Sequence, residues 1–109
     1  MSRSKSIIFI SGNGSNLQNI INNINNDFLK MDIVAVVSNN AEAKGLARAK
    51  AAGIETIVID TSNKYTDKLL TLINTYKIDL ILLSGFMKIL PKGFTDKFYG
   101  KIINLHPSL

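Results

Sequence analysis

The fold is indicated most clearly by residues 6–16, which read Ser6-Ile-Ile-Phe-Ile-Ser-Gly-Asn-Gly-Ser-Asn16. Residues 7–10 are apolar and mostly β-branched, which is typical of a strand that is buried on both faces. A turn with two glycines follows, and Ser15 and Asn16 are residue types that favour the first positions of a helix. The stretch therefore predicts a buried strand that passes through a tight turn directly into a helix.

Four more apolar runs follow at a regular interval, and the five runs start 26, 23, 23 and 23 residues apart. They are Asp32–Val37, Glu55–Ile59, Ile78–Leu83 and Lys101–Leu105. Amphipathic helical patterns fill the intervals at 17–28, 43–50 and 65–76. Gly53 is expected to follow the end of the second helix, and Phe94 and Phe98, after Pro91, indicate a short fourth helix.

Alternation of strands and helices at this spacing predicts βαβ crossovers and therefore parallel strand pairs. We expect an α/β fold with an open Rossmann-like sheet, mostly parallel, and with helices on both faces. No linker divides residues 1–109, so we expect a single domain. Ligands of such sheets bind outside the carboxyl ends of the strands, at a topological switch point. The residues that follow each strand are therefore the candidates for a functional site.

Composition narrows the classes of function. The chain has no cysteine and a single histidine, which excludes a disulfide framework, thiolate chemistry and a histidine-rich metal site. The net charge is +5, but the basic residues are scattered lysines and form no run typical of a nucleic-acid arm. No apolar segment is long enough for a membrane span or a signal peptide. We expect a cytoplasmic protein that binds small molecules, and neither nucleic acid nor a membrane.

The turn formed by Gly12, Asn13, Gly14, Ser15 and Asn16 is a candidate phosphate site. Backbone N–H groups at a helix N-terminus and the helix dipole attract anions, and glycine lets a phosphate approach the backbone. Neither a Walker loop nor the three-glycine dinucleotide pattern is present, which favours a single phosphate over a dinucleotide. The competing interpretation is structural, since any strand–helix turn uses glycine and a capping residue.

Asn104 and His106 are the candidate catalytic pair, because residues two apart in a strand point to the same side. An Asn amide can donate a hydrogen bond to a developing oxyanion, and a His can transfer protons near neutral pH. A turn-capping Asn beside an edge His explains the same pattern equally well. The apolar residues of 85–90, after the fourth run, either line a pocket for a flat ring or pack the next helix, and packing is the more common outcome.

These segments, in this order, resemble the glycinamide ribonucleotide formyltransferases. The stretches that carry the resemblance are residues 10–18 (ISGNGSNLQ), 36–46 (VVSNNAEAKGL), 52–54 (AGI), 85–90 (GFMKIL) and 102–109 (IINLHPSL). Methionyl-tRNA formyltransferases and formyltetrahydrofolate hydrolases are similar in fold and share the Asn-x-His, but they lack the SGNGSNL stretch. The resemblance extends over the whole chain and implies the N-terminal portion of the formyltransferase fold.

The resemblance also implies a reaction: transfer of the formyl group of 10-formyltetrahydrofolate to the amine of glycinamide ribonucleotide, in purine biosynthesis, without a metal. The turn at 12–16 would bind the ribonucleotide phosphate. Asn104 would hydrogen-bond the formyl oxygen, and His106 would stabilise the tetrahedral intermediate and assist proton transfer. The folate-binding residues implied are Met87, Lys88, Ile89, Leu90 and Asn104.

The resemblance has two departures. Members of the family continue well past the stretch that ends at Leu109, and their continuation carries a catalytic Asp. We therefore expect residues 1–109 to be the ribonucleotide-binding half of the domain. By themselves they would form an incomplete enzyme. Many members also carry an Arg before the third helix, where this sequence has Lys64. The alternatives left open are a formyltetrahydrofolate hydrolase and a non-catalytic phosphate- or nucleotide-binding module, and a weak homodimer is also left open.

Overall fold

The computed structural model describes residues 4–10, 15–27, 30–59, 66–84 and 100–105. The strands are β1 (Ser4–Ile10), β2 (Met31–Ser38), β3 (Glu55–Val58), β4 (Leu80–Ser84) and β5 (Ile102–Leu105). The helices within the described residues are α1 (Ser15–Asn25), α2 (Lys44–Ala51) and α3 (Thr66–Tyr76). The five predicted strands and the first three predicted helices are confirmed with shifts of a few residues at their ends. The predicted helix at Phe94 and Phe98 lies outside the described residues.

The strands form one sheet in the order β3-β2-β1-β4-β5, and every neighbouring pair is parallel. The chain runs outward from β1 through β2 to β3, and then returns to the other side of β1 to add β4 and β5. The direction of strand addition therefore reverses between β1 and β4, which makes this position the topological switch point. The predicted open, Rossmann-like parallel sheet is confirmed.

The central strand β1 supplies core residues to both faces of the sheet, because side chains alternate along a strand. Phe9 lies in a buried cluster with Leu69 of α3. Ile10 lies in a second buried cluster with Leu17 of α1 and Leu46 of α2. Helices therefore cover both faces, as predicted, and this explains why the strand sequences are almost continuously apolar rather than alternating.

The end of α2 is fixed by a glycine in the left-handed conformation, as predicted. Gly53 has a φ of +75°, and its N–H donates to the carbonyl of Lys50 at 3.0 Å. The N–H of Ile54 donates to the carbonyl of Ala49 at 2.9 Å. These two hydrogen bonds form a Schellman motif, which satisfies carbonyls at the helix end and turns the chain into β3.

Candidate active site

The carboxyl ends of the strands lie in one row across the sheet. Ile10 of β1 pairs with Ser38 of β2 on one side and with Ser84 of β4 on the other. Ser38 pairs in turn with Val58 of β3, and Ser84 pairs with Leu105 of β5. All the strands therefore end at the same edge, and the chain that follows each of them starts there.

This row brings the starting points of the predicted site segments together. The turn at 12–16 follows β1, the segment 85–90 follows β4, and His106 follows β5, and these are three adjacent strands of the sheet. They flank the switch point between β1 and β4, where open α/β sheets bind their ligands. The predicted location of the site is therefore consistent with the strand order, which the sequence did not reveal.

The predicted phosphate segment is only partly described. Ser15 and Asn16 form the first residues of α1, whereas Gly12, Asn13 and Gly14 lie outside the described residues. The first turn of α1 contains no acidic residue, so no carboxylate of that turn opposes the positive end of the helix dipole. The start of α1 lies within about 18 Å of Ile10, because five residue steps separate them and each spans at most about 3.6 Å.

A cationic side chain from α2 reaches α1 near its start. Nη1 of Arg48 donates to Oε1 of Gln18 at 3.5 Å, and Arg48 is half-buried. Nε2 of Gln18 donates to Oδ1 of Asn22 at 3.1 Å, one helical turn further along. The contact ties α2 to α1 and adds positive charge close to the end of α1 that faces the row, which favours an anionic ligand there.

The predicted catalytic pair is placed by its backbone alone. Asn104 lies in β5, where its Cα pairs with Leu83 of β4. His106 lies outside the described residues, and so do Met87, Lys88, Ile89 and Leu90 of the predicted folate pocket. The roles of these residues stay predictions, since the described part of the chain does not test them.

Sequence reasoning missed a polar corner between β2 and α2. The hydroxyl of Ser38 accepts a hydrogen bond from the N–H of Asn40 at 3.1 Å. Oδ1 of Asn40 accepts one from the N–H of Glu42 at 3.0 Å, and the carbonyl of Asn40 accepts one from the N–H of Ala43 at 3.0 Å. Asn39 lies inside this corner, and its Oδ1 is buried without a hydrogen-bond partner. Polar residues at the end of a buried strand and directly after it, as in Ser38 to Asn40, were the available signal.

Two open grooves lie elsewhere in the described part of the chain. One, of about 420 Å³, lies at the amino-terminal end of β2 and is lined in part by Ile21, Met31 and Asp32. The other, of about 560 Å³, lies between β3 and α3 and is lined in part by Ile57 and Leu72. Val58, at the end of β3, lines the second groove, but neither groove includes Ile10, Ser38 or Ser84.

The described residues contain no group of three or more His, Cys, Asp or Glu side chains placed to hold a metal ion. Within the same ranges, none of the helices has the length and apolar character needed to cross a membrane.

Comparison with known proteins decides the family. The formyl transferase family profile matches residues 4–109. The chain belongs to the formyl transferase family. The resemblance seen in the sequence motifs is therefore confirmed at the level of the family and the fold.

Members of the formyl transferase family with curated names are close in sequence. The phosphoribosylglycinamide formyltransferase of Escherichia coli is 42% identical over 108 residues, which cover 94% of this chain and 51% of that protein. The human trifunctional purine biosynthetic protein adenosine-3 is 37% identical over 107 residues, which cover 94% of this chain and 11% of that protein. The chain thus spans about half the length of the E. coli relative.

Solved structures of the family match the fold closely. The phosphoribosylglycinamide formyltransferase of Brucella melitensis superposes with a TM-score of 0.88 at 40% identity, covering 99% of this chain and 59% of that one. A formyltetrahydrofolate deformylase of Pseudomonas putida superposes with a TM-score of 0.86 at 28% identity, covering 98% of this chain and 39% of that one. The shared fold therefore includes both transferases and a deformylase, so the fold does not by itself choose between these reactions.

Proposed function

We propose that this chain is the ribonucleotide-binding portion of an enzyme that transfers the formyl group of 10-formyltetrahydrofolate to the amine of glycinamide ribonucleotide, a step of purine biosynthesis. The observation that carries the proposal is the row of strand ends around Ile10, together with membership of the formyl transferase family. The glycine-rich turn follows β1 and the Asn-x-His stretch lies at the end of β5, and only β4 separates these two strands in the sheet. A transferase needs this arrangement, because an acceptor and a formyl donor must meet at one edge.

The glycine-rich turn holds the phosphate of the ribonucleotide in this proposal. A dianionic phosphate gains from backbone N–H donors at the start of α1 and from the helix dipole. The net charge of +5 also favours an anionic substrate, and so does the positive charge that Arg48 places beside Gln18 of α1. Holding the substrate by a group remote from the reacting amine also orients that amine, which lowers the entropic cost of the reaction.

Asn104 and His106 act on the formyl group in this proposal. The side-chain amide of Asn104 donates a hydrogen bond to the formyl oxygen as negative charge develops there, which is the function of an oxyanion hole. The His106 imidazole stabilises the same charge and moves a proton from the attacking amine. The folate ring binds against Met87 to Leu90, and the catalytic Asp comes from the part of the enzyme that this chain does not span.

The test is a chimera in which this chain replaces the matching half of the E. coli relative. We expect the chimera to formylate glycinamide ribonucleotide in a reaction that requires 10-formyltetrahydrofolate. The matched control is the same chimera with His106→Ala, which separates activity of this chain's residues from contaminating host enzyme.

The chimera also distinguishes the alternatives. A formyltetrahydrofolate hydrolase releases formate at a rate that does not depend on glycinamide ribonucleotide, because water replaces the amine. A non-catalytic binding module gives a folded chimera that binds the ribonucleotide and turns over neither substrate. Either result contradicts the proposed function. The higher identity to named transferases and the SGNGSNL stretch favour the transferase over both.

A further inference from the structure

We draw no further inference here: the strongest candidate, the apolar groove between the edge strand β3 and α3 that is lined in part by Ile57, Leu72 and the half-exposed Tyr76, carries nothing because nothing in the described part of the chain shows what covers it.

Discussion

At the scale of single residues, the absence of a side chain at Gly14 matters most for the proposed phosphate site. Gly14→Val places a β-branched side chain where the phosphate approaches the backbone, so we expect a lower affinity for phosphate and for glycinamide ribonucleotide. Calorimetry measures the affinity, and Ala51→Val, at an exposed position of α2, is the control. Equal phosphate affinity in the wild type and in Gly14→Val would rule out a phosphate site in this turn.

His106 is predicted to act on the reaction and not on ribonucleotide binding. In the chimera with the E. coli relative, we expect His106→Ala to lower kcat by about 10²–10⁴-fold, the usual contribution of general acid–base assistance. The affinity for glycinamide ribonucleotide should be nearly unchanged, because the phosphate is held after a different strand. Steady-state kinetics together with separate binding measurements check both statements. A kcat within a few-fold of that of the unsubstituted chimera would show that His106 does not act on the reaction.

Asn104 is predicted to act on the same developing charge as His106. Asn104→Ala should lower kcat without changing ribonucleotide affinity, since it removes a donor to the formyl oxygen. The double variant should be less impaired than the product of the two single effects, because residues that act as a unit are not additive. A double variant with fully multiplicative effects would show that the two side chains act at separate steps.

At the scale of elements, the helix ends show how the chain is turned back into the sheet. Gly53 ends α2 in the left-handed conformation, but α3 ends with a non-glycine residue in the same region, Lys77, with a φ of +54°. The N–H of Ile78 donates to the carbonyl of Ile73 at 3.0 Å, so the hydrogen-bonding pattern matches that of α2. The turn from α3 into β4 thus requires a left-handed residue, and Lys77 adopts this conformation although its Cβ disfavours it.

This difference predicts opposite effects of two substitutions. Lys77→Gly should raise the free energy of unfolding by about 0.5–1 kcal/mol, because relief of the left-handed strain outweighs the extra flexibility of glycine in the unfolded chain. Gly53→Ala should lower it by about 1 kcal/mol for the reverse reason. Denaturant unfolding measures both values. A destabilised Lys77→Gly would mean that contacts of the Lys77 side chain matter more than its backbone conformation.

At the scale of the whole molecule, each edge strand of the sheet exposes a large apolar side chain. Val58 of β3 is 45% exposed and Ile103 of β5 is 46% exposed. Apolar edge strands of this kind gain stability from pairing or burial, so both edges are candidates for contact with other parts of a protein.

The chain spans about half the length of the E. coli relative, and this leads to a prediction for the isolated 109-residue chain. We expect it to bind the ribonucleotide and to give no measurable formyl transfer, because the proposed function takes the carboxylate that orients His106 from outside the stretch 1–109. Loss of the orienting carboxylate in a protease triad lowers kcat by about 10⁴-fold, which indicates the scale of such an effect. A formylation assay with the purified chain checks this. Formyl transfer at a rate comparable to that of the chimera would contradict it.

The strands and the helices were readable from the sequence because their signals are local. Continuous β-branched runs such as residues 7–10 indicate strands buried on both faces, and Gly53 marked a helix end through the conformation it allows. The glycine-rich turn and the Asn-x-His stretch indicated the chemistry, and their resemblance to a known family indicated the reaction. Those inferences depend only on residues that are close together in the sequence and require no knowledge of long-range contacts.

The order of the strands, the row of their carboxyl ends and the state of Asn39 were decided only by the tertiary structure. Periodicity is the same whether β4 pairs with β1 or with β3, so no local pattern places the switch point between β1 and β4. Oδ1 of Asn39 is buried without a hydrogen-bond partner among the described residues, and no local sequence pattern distinguishes such an Asn from one that is solvated or hydrogen-bonded. Sequence alone thus determined which elements form and which groups could react, and long-range packing decided which of them meet.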